Sequence, residues 1–183
     1  MRGMPKSVIV LVSVCLISAT MLGLTNHFTK DKIRDNELAA TVKALEEVMN
    51  GEPIPTPLNL EGVKVNEIVT EVYKAKNGDV AVKMSTKGFK SGLVIMCGVD
   101  SDGRVINAVC LDDKETYGAE ETYGERFKDK DLEGVGEVDT VGGATKTTSA
   151  YKEAVKIAIE TAKLVKNIDI PVVISEDGGS ENE

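Results

Sequence analysis

The residues of this chain best equipped for chemistry lie between Asp139 and Ser149, in the run Asp-Thr-Val-Gly-Gly-Ala-Thr-Lys-Thr-Thr-Ser. The adjacent Gly142 and Gly143 carry no Cβ, so backbone there can approach a ligand closely. Four hydroxyl side chains, Thr145, Thr147, Thr148 and Ser149, crowd the entrance of the helix-like run that follows. A helix entrance offers unpaired N–H groups and the positive end of a macrodipole, which together suit a phosphate. The same residues also describe an ordinary Gly-rich turn with a Thr or Ser N-cap, and chemistry alone leaves the two readings balanced. A Walker-type phosphate loop is excluded, because Gly-Lys-Ser/Thr occurs nowhere in the chain.

Other centres of activity are scarce. The single histidine is His27, just beyond an apolar run, which removes Ser-His-Asp, Cys-His and His-based metal chemistry from the rest of the chain. Asp112, Asp113 and Glu115 are close in sequence but lack the Asp-x-Asp-x-Asp-Gly spacing of a calcium loop. Cys97 and Cys110 flank a hairpin turn centred near Ser101 and Asp102. Their expected offset of about three residues, roughly 10 Å at strand rise, is too long for a disulfide. With Cys15 in the apolar run, all three cysteines read as small buried apolar residues.

The elements that must position the Asp139–Ser149 stretch follow from pattern. From Ser7 to Asn26 no residue is charged, and Val, Leu, Ile and Met dominate. That length predicts a transmembrane helix, since it has no clear Ala-x-Ala cleavage site and exceeds a signal peptide's apolar core. Two Lys/Arg precede it and three follow (Lys30, Lys32 and Arg34), so the positive-inside rule leaves the orientation open. Leu38, Val42, Leu45 and Met49 recur at helical spacing, and Pro53-Ile-Pro-Thr-Pro57 ends that helix. Strands are expected over 65–74, 79–85, 92–99 and 105–111, with turns at Asn77-Gly78 and Asp100-Ser-Asp-Gly103. The polar stretch 114–132 reads as a solvated loop, 134–138 as a short strand, and 168–174 as a last edge strand. Tyr151, Ala154, Val155, Ala158, Ile159, Ala162 and Val165 mark a long amphipathic helix.

The formal charge of −8 is unevenly spread: residues 1–34 carry a net +4, the body to 168 about −7, and the remainder −5. No basic face exists for nucleic acid. The expected fold class is therefore α+β: one N-terminal transmembrane helix, then one domain with an antiparallel β-meander packed against helices. The expected segments are 1–28 as cytoplasmic start and membrane helix, 29–57 as amphipathic helix and Pro-rich linker, 58–174 as the folded domain, and 175–183 as an acidic disordered tail.

The run from Asp139 to Ser149 resembles the flavinylation motif of the FMN-binding domain family, Asp-x-x-Ser/Thr-Gly-Ala-Thr-x-Thr/Ser-Ser. Asp139, Gly143, Ala144, Thr145 and Thr147 match, while Gly142 stands where the family has a Ser or Thr. The membrane-like run, the Lys-Gly-Phe89 segment, the Gly-Val-Asp-Ser-Asp-Gly-Arg-Val105 hairpin and Glu115-Thr116-x-Gly118 make the whole chain similar to the RnfG component of the Rnf electron-transport complex. The family's Glu-Thr-Pro-Gly-Leu-Gly segment reads Glu115-Thr-Tyr-Gly-Ala-Glu120 here.

The resemblance implies covalent FMN, attached as a phosphoester to Thr145 by an ApbE-type FMN transferase that draws on FAD. Gly143, Ala144 and Thr147 would lie beside the anchor, and Glu115, Thr116 and Gly118 beside the flavin ring. It further implies an electron-carrying subunit of a membrane-bound, ion-translocating ferredoxin:NAD oxidoreductase complex. Its partners would be the other membrane subunits, its amino terminus would lie inside the cell, and its soluble domain on the extracytoplasmic side of the cell membrane. Two alternatives remain: a stand-alone flavinylated extracytoplasmic carrier, and a membrane-anchored binding or scaffold domain without cofactor.

Overall fold

Runs rich in β-forming residues, punctuated by turn formers, build four strands: β1 Val69–Lys74, β2 Val80–Lys87, β3 Ser91–Val99 and β4 Val105–Asp112. The computed structural model describes residues 6–112 and 118–166, with side chains of the first helix described at 8, 10–22, 32 and 36–48. The strands form one antiparallel sheet in sequential order, a meander. Two tight turns set its register. Gly78, at φ +94, completes the β1–β2 turn, whose ends are joined by the Ala75 N–H donating to the Asp79 carbonyl at 2.9 Å. In the β3–β4 turn the Asp100 carboxylate accepts from the Asp102 and Arg104 N–H groups, both at 2.8 Å, and Gly103 takes φ +81.

Helix α1 spans Lys6–Val48, and it carries the main correction to the sequence reading. The transmembrane helix expected over the apolar run is not upheld: among the described residues, no helix is long and apolar enough to cross a membrane. Beyond the apolar run α1 continues without a break into polar sequence ending at Val48. Cys15, expected to be buried, is exposed there.

The chain divides into two units, 1–40 and 41–183. Within the second, the sheet is covered on both faces. On one face Val72, Val82, Met84, Ile95, Cys97 and Val99 form a core with helix α4, Thr145–Lys166, through Tyr151, Ala154, Val155, Ala158 and Ile159. On the other, Tyr73, Ala81 and Met96 meet Ala44, Leu45 and Val48 of the last turns of α1. Period-2 alternation along β2 and β3 supplies both faces at once. The approach of α1 is very close at Gly98, where an added Cβ would fall 1.6 Å from the Val48 carbonyl oxygen.

Two further expectations are corrected. The stretch read as a solvated loop holds helix α2, Glu120–Tyr123, and a 3₁₀ turn, Gly124–Phe127. Tyr123 and Phe127 are four apart and both buried, meeting edge to face at 5.1 Å, while Phe127 stacks on Tyr151 at 5.9 Å. Residues 134–138 belong to no strand. Leu132–Gly136 is helix α3, capped by the Asp131 carboxylate, which accepts from the Gly134 N–H at 2.9 Å. Val135 and Val138, three apart, are buried together, a helical rather than a strand spacing. The edge strand and acidic tail expected after residue 167 lie outside the described residues.

Cys97 pairs across the sheet with Ala108, and Cys110 with Ile95, an offset of two residues. Cys97 and Cys110 form no disulfide, and burial pushes the Cys97 thiol up to about 12.

Candidate functional site

Val141 to Ala144 form a tight turn in which the Ala144 N–H donates to the Val141 carbonyl at 3.1 Å. Gly143 sits third with φ +83, the conformation of a type II turn that disfavours any side chain. Gly142 has no such constraint, and a Cβ there would meet nothing within 4 Å. A Ser or Thr would fit this position, so the departure from the flavinylation pattern removes a hydroxyl without altering the turn.

The turn delivers the chain into α4, a helix of 22 residues whose first residue is Thr145. Thr145 is exposed, and its hydroxyl makes only a long contact, donating to the Val141 carbonyl at 3.5 Å. The open space over the glycine pair and the helix entrance behind the hydroxyl are the two features that a phosphate ester on this oxygen requires. These residues therefore fit FMN attached through its phosphate.

The other hydroxyls divide. Thr148 is fully buried and works as a staple: its oxygen accepts from the Val141 N–H at 3.2 Å and donates to the Ala144 carbonyl at 3.0 Å. Thr147 is buried and Ser149 exposed. Replacing Thr148 by Val leaves the Val141 N–H without its acceptor. We expect a loss of about 1–2 kcal/mol, read by thermal melting.

Two long side chains steady the approach to the turn. Lys152, in the second turn of α4, donates to the carbonyls of Val138 at 3.0 Å and Gly136 at 3.3 Å. The Tyr123 hydroxyl donates to the Asp139 carbonyl at 3.0 Å. Burial raises the Tyr123 pKa, the Arg126 guanidinium opposes that rise and Asp139 adds to it, so the phenol stays protonated and able to donate.

Of the ring contacts expected from the sequence, Glu115 and Thr116 lie outside the described residues. Gly118 is exposed at φ +62, and its carbonyl accepts from the Glu121 N–H at the start of α2. Helix α2 carries Tyr123, so that hydroxyl contact links the Gly118 segment to the Asp139 loop. The buried Tyr123 was missed by sequence reasoning, although its i, i+4 spacing with Phe127 was the signal.

Lys146 was also passed over. Its ammonium lies 5.7 Å from the centroid of the Phe89 ring, in the turn between β2 and β3. This contact brings the Lys-Gly-Phe89 segment to the flavinylation-like motif, some 57 residues apart by subtraction of their numbers. A cleft of about 270 Å³ between Gly78, the Asp100–Gly103 turn and Lys163 and Lys166 lies at the C-terminal end of α4 and holds none of the motif residues.

Residues 88–160 match the family described as the FMN-binding domain, a span that contains Phe89, α2, the glycine turn and most of α4. Residues 1–48 match the RnfG N-terminal region. The chain is 30% identical to the G component of the ion-translocating oxidoreductase complex of Stutzerimonas stutzeri, over 57% of this chain and 49% of that protein. It is 25% identical to the G component of the Na(+)-translocating ferredoxin:NAD(+) oxidoreductase complex of Acetobacterium woodii, over 83% of this chain and 88% of that protein. The chain thus spans about half the length of one relative and most of the other. The chain is therefore similar to the FMN-binding domain family over residues 88–160, and to the G components of such complexes.

Proposed function

We propose that this chain is the electron-carrying flavoprotein subunit of a membrane-bound, ion-translocating ferredoxin:NAD oxidoreductase complex, with FMN joined to Thr145 through a phosphoester. The observation that carries the reading is the exposed Thr145 hydroxyl at the mouth of α4, behind an open glycine turn and inside the span that matches the FMN-binding domain. The names of the two relatives support the assignment to such a complex.

Bound at Thr145, FMN supplies one- and two-electron redox chemistry. The chain's own part is to hold the group. Thr145 would supply the ester oxygen and the α4 entrance would offer its N–H groups to the phosphate, while Thr148, Lys152 and Tyr123 fix the loop that leads to it. Gly143 and Ala144 shape the turn beside the anchor. Gly118, with Glu115 and Thr116, is assigned to the flavin ring side through the resemblance. Loading needs an ApbE-type FMN transferase and FAD. The resemblance also supports placing the FMN-binding domain on the extracytoplasmic side of the cell membrane, among the other members of the complex.

Chain purified from cells that contain the transferase tests this. After denaturing electrophoresis the band should fluoresce as a flavin, and mild solubilisation should bring partner membrane subunits with it. A colourless chain contradicts the reading and favours a cofactor-free scaffold. A flavinylated chain that never brings partners favours a stand-alone carrier.

A further inference from the structure

The family pattern leaves the residue after the anchoring threonine open, and here it is Lys146. Its ammonium rests over the Phe89 ring at 5.7 Å, and Phe89 is 61% exposed. Among the described residues the salt bridges join Lys76 to Glu52, Lys83 to Glu71 and Lys156 to Glu153, and none involves Lys146. A cation held by an aromatic face keeps its charge available, because the ring quadrupole attracts it without neutralising it. The exposed Lys146 charge therefore adds to the positive end of α4. Lys87 and Lys90 flank Phe89 in sequence, so the β2–β3 turn that receives Lys146 is itself basic. The body of the chain, residues 35–168, is acidic at about −7, so a basic turn stands out within it.

We infer that Lys146 is the charge partner of the phosphate at Thr145, its ammonium held on the Phe89 ring next to the entrance of α4 until the phosphate arrives. The inference rests on the reading of Thr145 as the flavin anchor. In the transfer, Thr145 Oγ1 forms a new bond to the phosphorus of the FMN half of FAD, and the pyrophosphate P–O bond breaks. AMP leaves with that electron pair, and the hydroxyl proton passes to a base of the transferase. Negative charge on the phosphoryl oxygens is what a nearby ammonium stabilises during such a transfer. The finished phosphodiester would keep one negative charge, which the Lys146 ammonium would balance. The flexible four-carbon stem of lysine suits a role that needs a mobile point charge rather than a fixed fork.

The test is the initial rate of flavin transfer to the full chain from FAD and an ApbE-type transferase, followed by covalent flavin per chain at several KCl concentrations. Lys146→Met should load about tenfold more slowly than wild type and lose much of its salt dependence, because the screened interaction is gone. Lys146→Arg should return to within about twofold, and Lys146→Glu should be slower than Met. Unloaded variants with the wild-type melting temperature exclude a folding effect. Phe89→Leu should give an intermediate rate. Lys146→Met at the wild-type rate and salt slope overturns the role of Lys146 and leaves the Thr145 reading standing, as does Lys146→Arg no faster than Met. A wild-type chain that accepts no flavin overturns both.

Discussion

Thr145→Ala, produced beside the transferase, should carry no covalent flavin, a fall of at least about 100-fold in fluorescence of the denatured band. Thr145→Ser should retain it, because the hydroxyl stays at the first residue of α4. The expected size of the loss follows from chemistry rather than from packing: the exposed Thr145 oxygen is the proposed bonding atom, and no neighbour replaces it. Thr147 and Thr148 are buried, and Thr148 is already committed to Val141 and Ala144. Ser149 is exposed, but it lies a full turn further along α4, away from the glycine turn. Melting temperature should hardly change, since Thr145 is a surface position. Strong covalent flavin in Thr145→Ala, measured on denatured protein, would move the anchor elsewhere.

Gly98→Ala should have the largest effect on stability. The added Cβ would collide with the Val48 carbonyl at 1.6 Å, and both partners are backbone that no rotamer change can relieve. Either the last turns of α1 lift from the sheet or β3 distorts, and Leu45, Val48 and Met96 lose packing. We expect destabilisation of about 3 kcal/mol, a fall in melting temperature of roughly 10 °C for a domain of this size. Gly142→Ala is the control. Its Cβ meets nothing within 4 Å, so its stability should stay within about 0.5 kcal/mol of wild type. Equal melting temperatures for Gly98→Ala and Gly142→Ala would show that the α1 contact contributes nothing.

The sheet was legible because its signals are local. Alternation in β2, the continuous apolar run of β3 and the Asn77-Gly78 and Asp100–Gly103 turns each lie within a few residues, and strand ends moved by up to four positions at β1. Helix α4 was legible for the same reason, through its repeat of apolar residues at three and four. Residues 120–136 were not, because glycines and charges outnumber the buried side chains there. Tyr123, Phe127 and Val135 are spaced for helices too short to show a period. The apolar start of the chain misled differently. Composition predicts a membrane span from charge-free length alone, whereas among the described residues no helix is long and apolar enough to cross a membrane, and α1 continues through polar sequence to Val48.

The Asp139–Ser149 stretch was found from residue type, but its internal division of labour was not. Four hydroxyls look alike in sequence, and only the turn shows that Thr148 faces inward as a staple while Thr145 faces out. Lys146 could not be singled out, because its partner Phe89 belongs to a different hairpin. Contacts between distant segments leave no pattern in a single chain.

The central claim is a phosphoester between FMN and Thr145, and mass measurement of the intact, denatured wild-type chain tests it most directly. The account predicts an addition equal to FMN less one water, carried after proteolysis by the fragment that contains Thr145. An unmodified mass from cells that flavinylate other acceptors, or the same addition on a fragment without Thr145, would contradict it.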